Sequence, residues 1–378
     1  MNLSFNILPI VQKEFRQIRR DVRGLLLLLL MPSFLLIMVG YALNFDVKHI
    51  SLGFYCEDKS QASIRFIESF KHTEYFNVSI DINNRRDIDI LLEEGTILAA
   101  IVIPNDFSKN IYSGREAVVQ IIIDGANANT AATALGYIKT AVQNYSTKIL
   151  IDNLTKQGIK FTTPVNPQPR LWYNPELKSS KFLIPGLFGM ILMLVAVVST
   201  SLSIVREKEQ GTMEQIIVSP LKSHEIIVGK TIPYLLISLI ATTFVLIMSA
   251  LMFDVKIEGS IFLFYLATIL FLLGALGQGL LISTFAKTQA VAFIVSILSS
   301  LLPTFLLSGF IFSIKNMPWW LQAITHIIPA KYYLVAVRAV MVKGVGMAAF
   351  GEQLVFLLIF CSLILVISTA RMHKDISR

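Results

Sequence analysis

The sequence predicts an α-helical polytopic membrane protein with six transmembrane helices, an N-terminal interfacial helix and an α/β extracytoplasmic domain. Three observations predict it. The chain is 54% hydrophobic and only 15% charged, outside the range of ordinary soluble domains. Six apolar runs, at about 24–43, 181–204, 231–252, 260–284, 289–312 and 351–370, reach the ~17–25 residues that a helix needs to cross a bilayer. Lys and Arg gather on alternate flanks of those runs. One set of short flanks holds 13, from Lys13 and Arg16 to Lys374 and Arg378, and the opposite set holds 5. The cation-rich side reads as cytoplasmic, with both termini inside.

The N-terminal segment, 1–23, places Ile7, Val11, Phe15, Ile18 and Val22 at steps of four, four, three and four. Basic residues fill the other face, as in a helix lying in the cytoplasmic interface beside anionic headgroups. A soluble helix packed on a partner is the alternative. The span at 24–43 follows this charged segment without a small-residue cleavage site, so it reads as a retained anchor.

Residues 44–180 read as one extracytoplasmic domain. "ISLGFYCED" is a strand, "SQASIRFIESF" a helix and "YFNVSID" a second strand. "RRDIDILLEEG" follows as a helix, with "TILAAIVIP" and "EAVVQIIIDG" as further strands. A long helix comes next, with Leu135, Ile138, Val142, Tyr145 and Ile149 on one stripe. This alternation predicts an α/β or α+β sandwich. The linker "TTPVNPQPRLWYNP" returns the chain to the span at 181–204, with Trp172 and Tyr173 suited to the headgroup zone.

After the fifth span, residues 313–350 are too polar and proline-broken to cross a membrane. Pro318 suits a helix start. Trp319, Trp320, Tyr332 and Tyr333 suit an interface, and Pro329 breaks the segment into two short helices. Such helices either anchor the chain or dip into the outer surface as a re-entrant element. The last span, 351–370, leads to a cytoplasmic tail at 371–378.

Several chemistries are excluded. Residues 44–181 carry 15 basic and 15 acidic residues, so the net charge of +8 is membrane-flank charge and not a nucleic-acid footprint. The two cysteines, Cys56 and Cys361, fall in the outer domain and the last span, which keeps them from pairing. Five scattered histidines show no metal-ligand spacing, and no catalytic motif is present. "HEIIVGKT" ends like a phosphate-binding loop but has His224 where the leading glycine belongs. No charge falls inside a predicted span, which argues against proton coupling.

The cytoplasmic segment 205–230, "REKEQGTMEQIIVSPLKSHEIIVGK" from Arg206, combines dense charge with three consecutive aliphatics, Ile216, Ile217 and Val218. Gly211, then Thr212 with Gln215, reads as a capping box that opens a short helix ended by Pro220, and Ser223 caps a second helix leading through Lys230 into the third span. An apolar face rimmed by Glu207, Glu214 and Lys222 suits docking into a partner's groove. A loop folded back on the protein's own helix ends is the alternative.

This segment resembles the one after the second span of ABC transporter type-2 permeases. The pairs Arg206-Glu207, Gly211-Thr212, Glu214-Gln215, Pro220-Leu221 and Gly229-Lys230 carry the resemblance. Gly309-Phe310, Met317-Pro318, Trp320-Leu321, Pro329, Tyr333 and Arg338 match the family before its last span. At Ser313–Ile314 the chain departs from relatives that place a proline there. The resemblance implies an export permease. Two six-span subunits would form the pathway and bind two cytoplasmic ABC ATPase subunits. Glu207, Gly211, Thr212, Glu214, Gln215, Ile216, Ile217, Pro220 and Leu221 would then form the coupling helix and its flanks. The chain itself would bind no cofactor, ATP and Mg being used by the ATPase. The implied cargo is hydrophobic or amphipathic, such as a drug or lipid-like molecule. Gln278 and the hydroxyls at 199–203 are candidate polar spots in its path, and helix packing explains them equally well. A second permease, membrane lipid and a periplasmic adaptor on the outer domain complete the expected partners. The competing readings are a stand-alone sodium-coupled carrier and a membrane receptor.

Overall fold

A computed structural model describes residues 3–43, 50–71, 73, 75–156, 170, 172–175, 178–213 and 222–376. The chain divides into two compact units, Phe45–Pro169 and the remainder, Met1–Asn44 with Arg170–Arg378.

The larger unit is helical. Helix α1 (Leu3–Arg20) is followed at once by α2 (Val22–Ala42). The break falls at Asp21, whose carboxylate accepts from the Gly24 amide at 3.0 Å and caps α2. Six helices of this unit are long and apolar enough to span a membrane. They are α2, α7 (Ser179–Glu209), α8 (Ser223–Phe253), α9 (Ile261–Phe285), α10 (Gln289–Leu307) and α13 (Gly351–Ile376). Between the last two lie the short α11 (Trp319–Thr325) and α12 (Pro329–Met341).

Helix α7 is the buried axis of the bundle, and α2, α10 and α13 lie largely exposed around it. On α10 only Ala292, Ser296, Ser300 and Thr304 are buried, at steps of four. This narrow stripe turns inward, and the Ser296 hydroxyl meets that of Ser201 on α7 at 2.7 Å. Small residues bring α9 close to its neighbours. A Cβ at Gly279 would fall 2.5 Å from the Val197 carbonyl of α7, and one at Gly277 2.8 Å from Ile364 of α13. These glycines serve packing. Gln278 likewise spends its amide on α10, reaching the Ser299 carbonyl at 3.2 Å.

The ends of two spans differ from expectation. Helix α7 runs on to Glu209, past its apolar run, whereas α8 begins at Ser223, as expected of the helix leading through Lys230 into that span. Helix α10 stops at Leu307, short of 312, because Gly309 turns the chain with φ of +80°. Arg338 of α12 then donates to the freed Gly309 and Phe310 carbonyls at 3.2 and 3.3 Å.

The second unit is an α/β fold. Four strands, β1 (Ile50–Cys56), β2 (Phe76–Ile82), β3 (Ala99–Ile103) and β4 (Gln120–Ile123), order as β2-β1-β3-β4. β1 runs parallel to β2 and β3, and β4 is antiparallel to β3. Every residue of β3 is buried, as expected of a strand covered on both faces. Ala99, Ile101 and Ile103 meet α3 (Gln61–Lys71), α5 (Phe107–Tyr112) and α6 (Ala128–Lys156) through Phe66, Phe107 and Ile138. Ala100 and Val102 share the opposite core with Ile88 of α4 (Asp87–Glu93). The six-residue α5 had no sequence forecast, being too short to show a helical period. On α6 the fully buried positions are Ala134 and Ile138, with Val142 and Tyr145 partly covered.

The crevice of such a sheet opens where neighbouring crossovers diverge, here between the ends of β1 and β3. Asp58 fills it. Its carboxylate accepts from the Ser60 amide at 3.1 Å and the Ser108 amide at 2.6 Å. Burial pushes this carboxyl up, but the hydrogen bonds from Ser108 and Ser60 outweigh it and hold it below the ordinary 3.8. The unit's own acid thus takes up the amides that this crevice offers.

Candidate coupling site

The cation-dense ends of the spans meet in one place. Arg206 of α7 pairs with Asp21 at 3.3 Å. Lys208 donates to the Ser283 carbonyl at the end of α9, at 2.8 Å. Glu209 accepts from the Gln289 amide at the start of α10, also at 2.8 Å. Ser223 of α8 faces His373 of α13 at 3.3 Å. Cations at helix C-termini and carboxylates at N-termini complement the helix dipoles.

At the centre lies a cluster of four charges, three of them buried and the fourth, Lys13, half-exposed. Lys230 is 1% exposed; its ammonium sits 2.8 Å from Glu14 Oε1 and 2.7 Å from Glu207 Oε2, the second outside hydrogen-bond alignment. Lys13 pairs with Glu207 Oε1 and lies 3.4 Å from Glu14 Oε1. Two cations thus balance two anions, which is what lets them leave water. Glu14 comes from α1, Glu207 from the last turns of α7 and Lys230 from the first turns of α8. Adjacent to the cluster, a Cβ on Gly229 would lie 2.7 Å from Ile10 Cγ2. Only glycine lets α1 seat this closely on α8. The Gly229-Lys230 pair that ends the phosphate-loop look-alike therefore docks α1 and neutralises two carboxylates.

The spans at 181–204 and 231–252 keep the charge-free interior expected of them. With α7 and α8 longer than their apolar runs, Glu207 and Lys230 belong to the long helices and are shielded from water. Sequence reading singled out Glu207, took Lys13 and Lys230 for flank cations and missed Glu14. One signal was available: Glu14 is the sole acid in the strongly basic α1.

The segment between these roots starts with Gly211 at φ of +71°, a left-handed turn that ends α7. The Thr212 hydroxyl turns back to the Glu207 carbonyl at 3.3 Å, closing α7. Met213 is buried with Ile204, Ile226, Ile227, Leu280 and Met372. Glu214, Gln215, Ile216, Ile217, Pro220 and Leu221 lie outside the described residues, as do Val218 and the far half of the expected capping box. The N-cap of α8 is Lys222 and not Ser223; Glu225 reaches back to the Lys222 amide at 2.8 Å.

At the other end of the bundle, Pro318 precedes α11, and Trp319 and Trp320 are 81% and 52% exposed. Pro329 opens α12 and is buried. Tyr333 departs from the interfacial aromatics expected here. It is fully buried, stacked on Phe271 of α9 with centroids 4.2 Å apart, and its hydroxyl meets Thr268 at 3.1 Å. Its position on the inward face of α12 explains this, since Tyr332, Ala336 and Val340 of that face are buried too. Tyr332 stacks on Phe356 of α13.

A six-helix apolar bundle in which one ionic cluster ties α1, α7 and α8 together is the build of a polytopic membrane protein. The chain matches the ABC-2 family transporter protein over residues 23–370, and it belongs to that family. It is 33% identical to the probable multidrug ABC transporter permease YbhS of Escherichia coli (strain K12), over 88% of this chain and 87% of that protein. It is 30% identical to the probable multidrug ABC transporter permease YbhR of the same organism, over 89% of this chain and 90% of that protein. The inner membrane transport permease YhhJ of that strain is 27% identical over 84% of each chain. The protein is thus a membrane-embedded permease subunit of an ABC exporter, and ATP hydrolysis belongs to a partner subunit. The family implies an ATPase and a permease partner, and it disfavours the carrier and receptor readings.

Proposed function

We propose that this permease couples ATP-driven motion to export of a hydrophobic or amphipathic molecule, through the loop rooted at Glu207 and Lys230. The observation that carries this reading is the buried cluster joining α1, α7 and α8 where that loop begins and ends. A displacement delivered to the loop reaches three helices at once. The segment 214–221, with Ile216 and Ile217 as its apolar face, is the part that docks the ATPase. ATP and Mg stay with that partner, and this chain supplies no nucleotide site.

In this reading the cation-dense ends and both termini face the cytoplasm of a bacterial cell, at its inner membrane. Helix α1 lies in the cytoplasmic interface, and unit Phe45–Pro169 is extracytoplasmic. A second permease, identical or related, completes the pathway. The α/β unit offers a place for a periplasmic adaptor. The relatives' designation as probable multidrug permeases supports a drug-like or lipid-like cargo.

The test is a mild-detergent pull-down of the tagged chain beside Ile217→Asp. Co-purification of an ABC ATPase with the parent and its loss from the folded variant is the expected result. A folded parent that recovers no ATPase, under conditions preserving other ABC complexes, would overturn the proposal.

A further inference from the structure

An open groove of about 520 Å³ runs between α2, α7 and α10. Helix α7 lines it with Leu194, Val198 and Leu202, four residues apart, and the same stripe ends at Arg206. Met31 of α2 and Phe293 of α10 face them. Beside it lies a recess of about 670 Å³ lined by Lys13, Arg16, Arg20, Arg206 and Asp21 with polar neighbours. Asp21 and Arg206 line both, so the apolar groove opens directly onto the cationic recess.

The charge in that recess is unbalanced. Four cations share one acid, and Asp21 already accepts from Gly24 at 3.0 Å and pairs with Arg206 at 3.3 Å. Lys13 is committed to Glu207. Arg16 reaches only the neutral Gln12, at 3.5 Å, and Arg16 and Arg20 make no ion pair among the described residues. A second copy seated in the groove through its own α2 or α10 would bring no carboxylate, because neither helix contains Asp or Glu. Among the described residues, no further carboxylate balances Arg16 and Arg20.

We infer that this composite site binds an anionic amphipath, its phosphate or carboxylate head between Arg16, Arg20 and Arg206 and its apolar tail along α7. Volumes of this size suit one small amphipath or part of a lipid. Arginines recognise such heads through paired N–H donors. The inference deepens the export reading by giving the cargo a sign of charge. It also ties the site to the coupling cluster, because Lys13 belongs to both.

The test is native mass spectrometry of the full-length chain in uncharged detergent. Dioleoyl phosphatidylglycerol is titrated against phosphatidylcholine of the same chains. Surface cations contribute about fivefold each to binding of an anionic head. The parent should prefer phosphatidylglycerol by about 25-fold or more, and Arg16→Gln with Arg20→Gln should erase about that factor. Both residues are exposed and make no ion pair among the described residues, so this variant should fold. Val198→Trp, which fills the groove, should weaken both lipids.

Equal binding of the two lipids, or a preference untouched by the double variant, would overturn the inference. So would displacement by glycerol phosphate alone at similar concentration, or loss of the preference when two permeases pair. The source of the amphipath is read after reconstitution with the ATPase. Headgroup-labelled phosphatidylglycerol moved between leaflets only with ATP marks a cargo, and lipid that stays bound marks a resident; both outcomes support the site. No ATPase enters the binding assay, so failure of the coupling proposal would leave this result standing.

Discussion

Replacing Lys230 by Met tests the central cluster most directly. Its ammonium contacts carboxylates of both α1 and α7, at 2.8 and 2.7 Å, with a side chain 1% exposed. Its removal leaves Glu14 and Glu207, each nearly inaccessible, sharing only Lys13. Uncovering buried charge in this way costs about 3–5 kcal/mol. Lys13→Met removes a partner whose side chain is 46% exposed and leaves Lys230 between both acids, but it takes a hydrogen bond from the buried Glu207, so its cost is smaller, about 1–3 kcal/mol. The triple change Lys230→Met, Glu14→Leu and Glu207→Leu replaces the buried charges with apolar volume and should regain most of the lost stability. It should not regain substrate-stimulated ATP hydrolysis in the assembled transporter, because nothing then ties α1 and α7 to α8 by charge. Equilibrium unfolding in mixed micelles, followed by circular dichroism, measures the first quantity and a phosphate-release assay the second. The reasoning fails if Lys13→Met costs as much as Lys230→Met, or if the triple variant stays as unstable as the single one.

Other residues give independent checks. Gly229→Ala should push α1 off α8 and cost about 1–3 kcal/mol, with Ile10→Ala restoring part of it, as read by hydrogen exchange in α1. Tyr333→Phe keeps the stack on Phe271 and loses one hydrogen bond, about 1 kcal/mol, whereas Tyr333→Ala opens a cavity and costs about 3–5 kcal/mol; unfolding in micelles ranks the two. For Asp58 the folded carboxyl sits below its ordinary 3.8. Its stabilisation is therefore complete above that value and fades as pH falls through the folded one. Asp58→Asn should lower the protection of β1 and α3 amides at neutral pH and flatten its loss in acid, measured by hydrogen exchange on the whole chain.

What could be read from the sequence followed from periodicity and length. Six apolar runs became six long helices because a span must be apolar throughout. The alternation in 50–123 became a sheet with helices because strand and helix periods differ. The ends of elements were less legible. Ser223 marked the start of α8, but nothing local announces that α7 continues past its apolar run, where Glu207 and Lys208 meet Lys13 and the Ser283 carbonyl. Lys230 looked like a flank cation because its neutralising acids lie 216 and 23 positions away in sequence. Tyr333 looked interfacial because aromatics near proline and tryptophan usually are, and only the facing Phe271 shows otherwise.

Glu207 and Lys230 also set the kinematics of the segment between them. A strand of chain whose two ends are free can absorb a push by stretching or slackening. Here the ends are pinned to each other, with Glu14 as the third pin, so the distance between them is not an available degree of freedom. In the proposed coupling, a load placed on that segment would reach all three helices together, the groove-lining stripe of α7 among them.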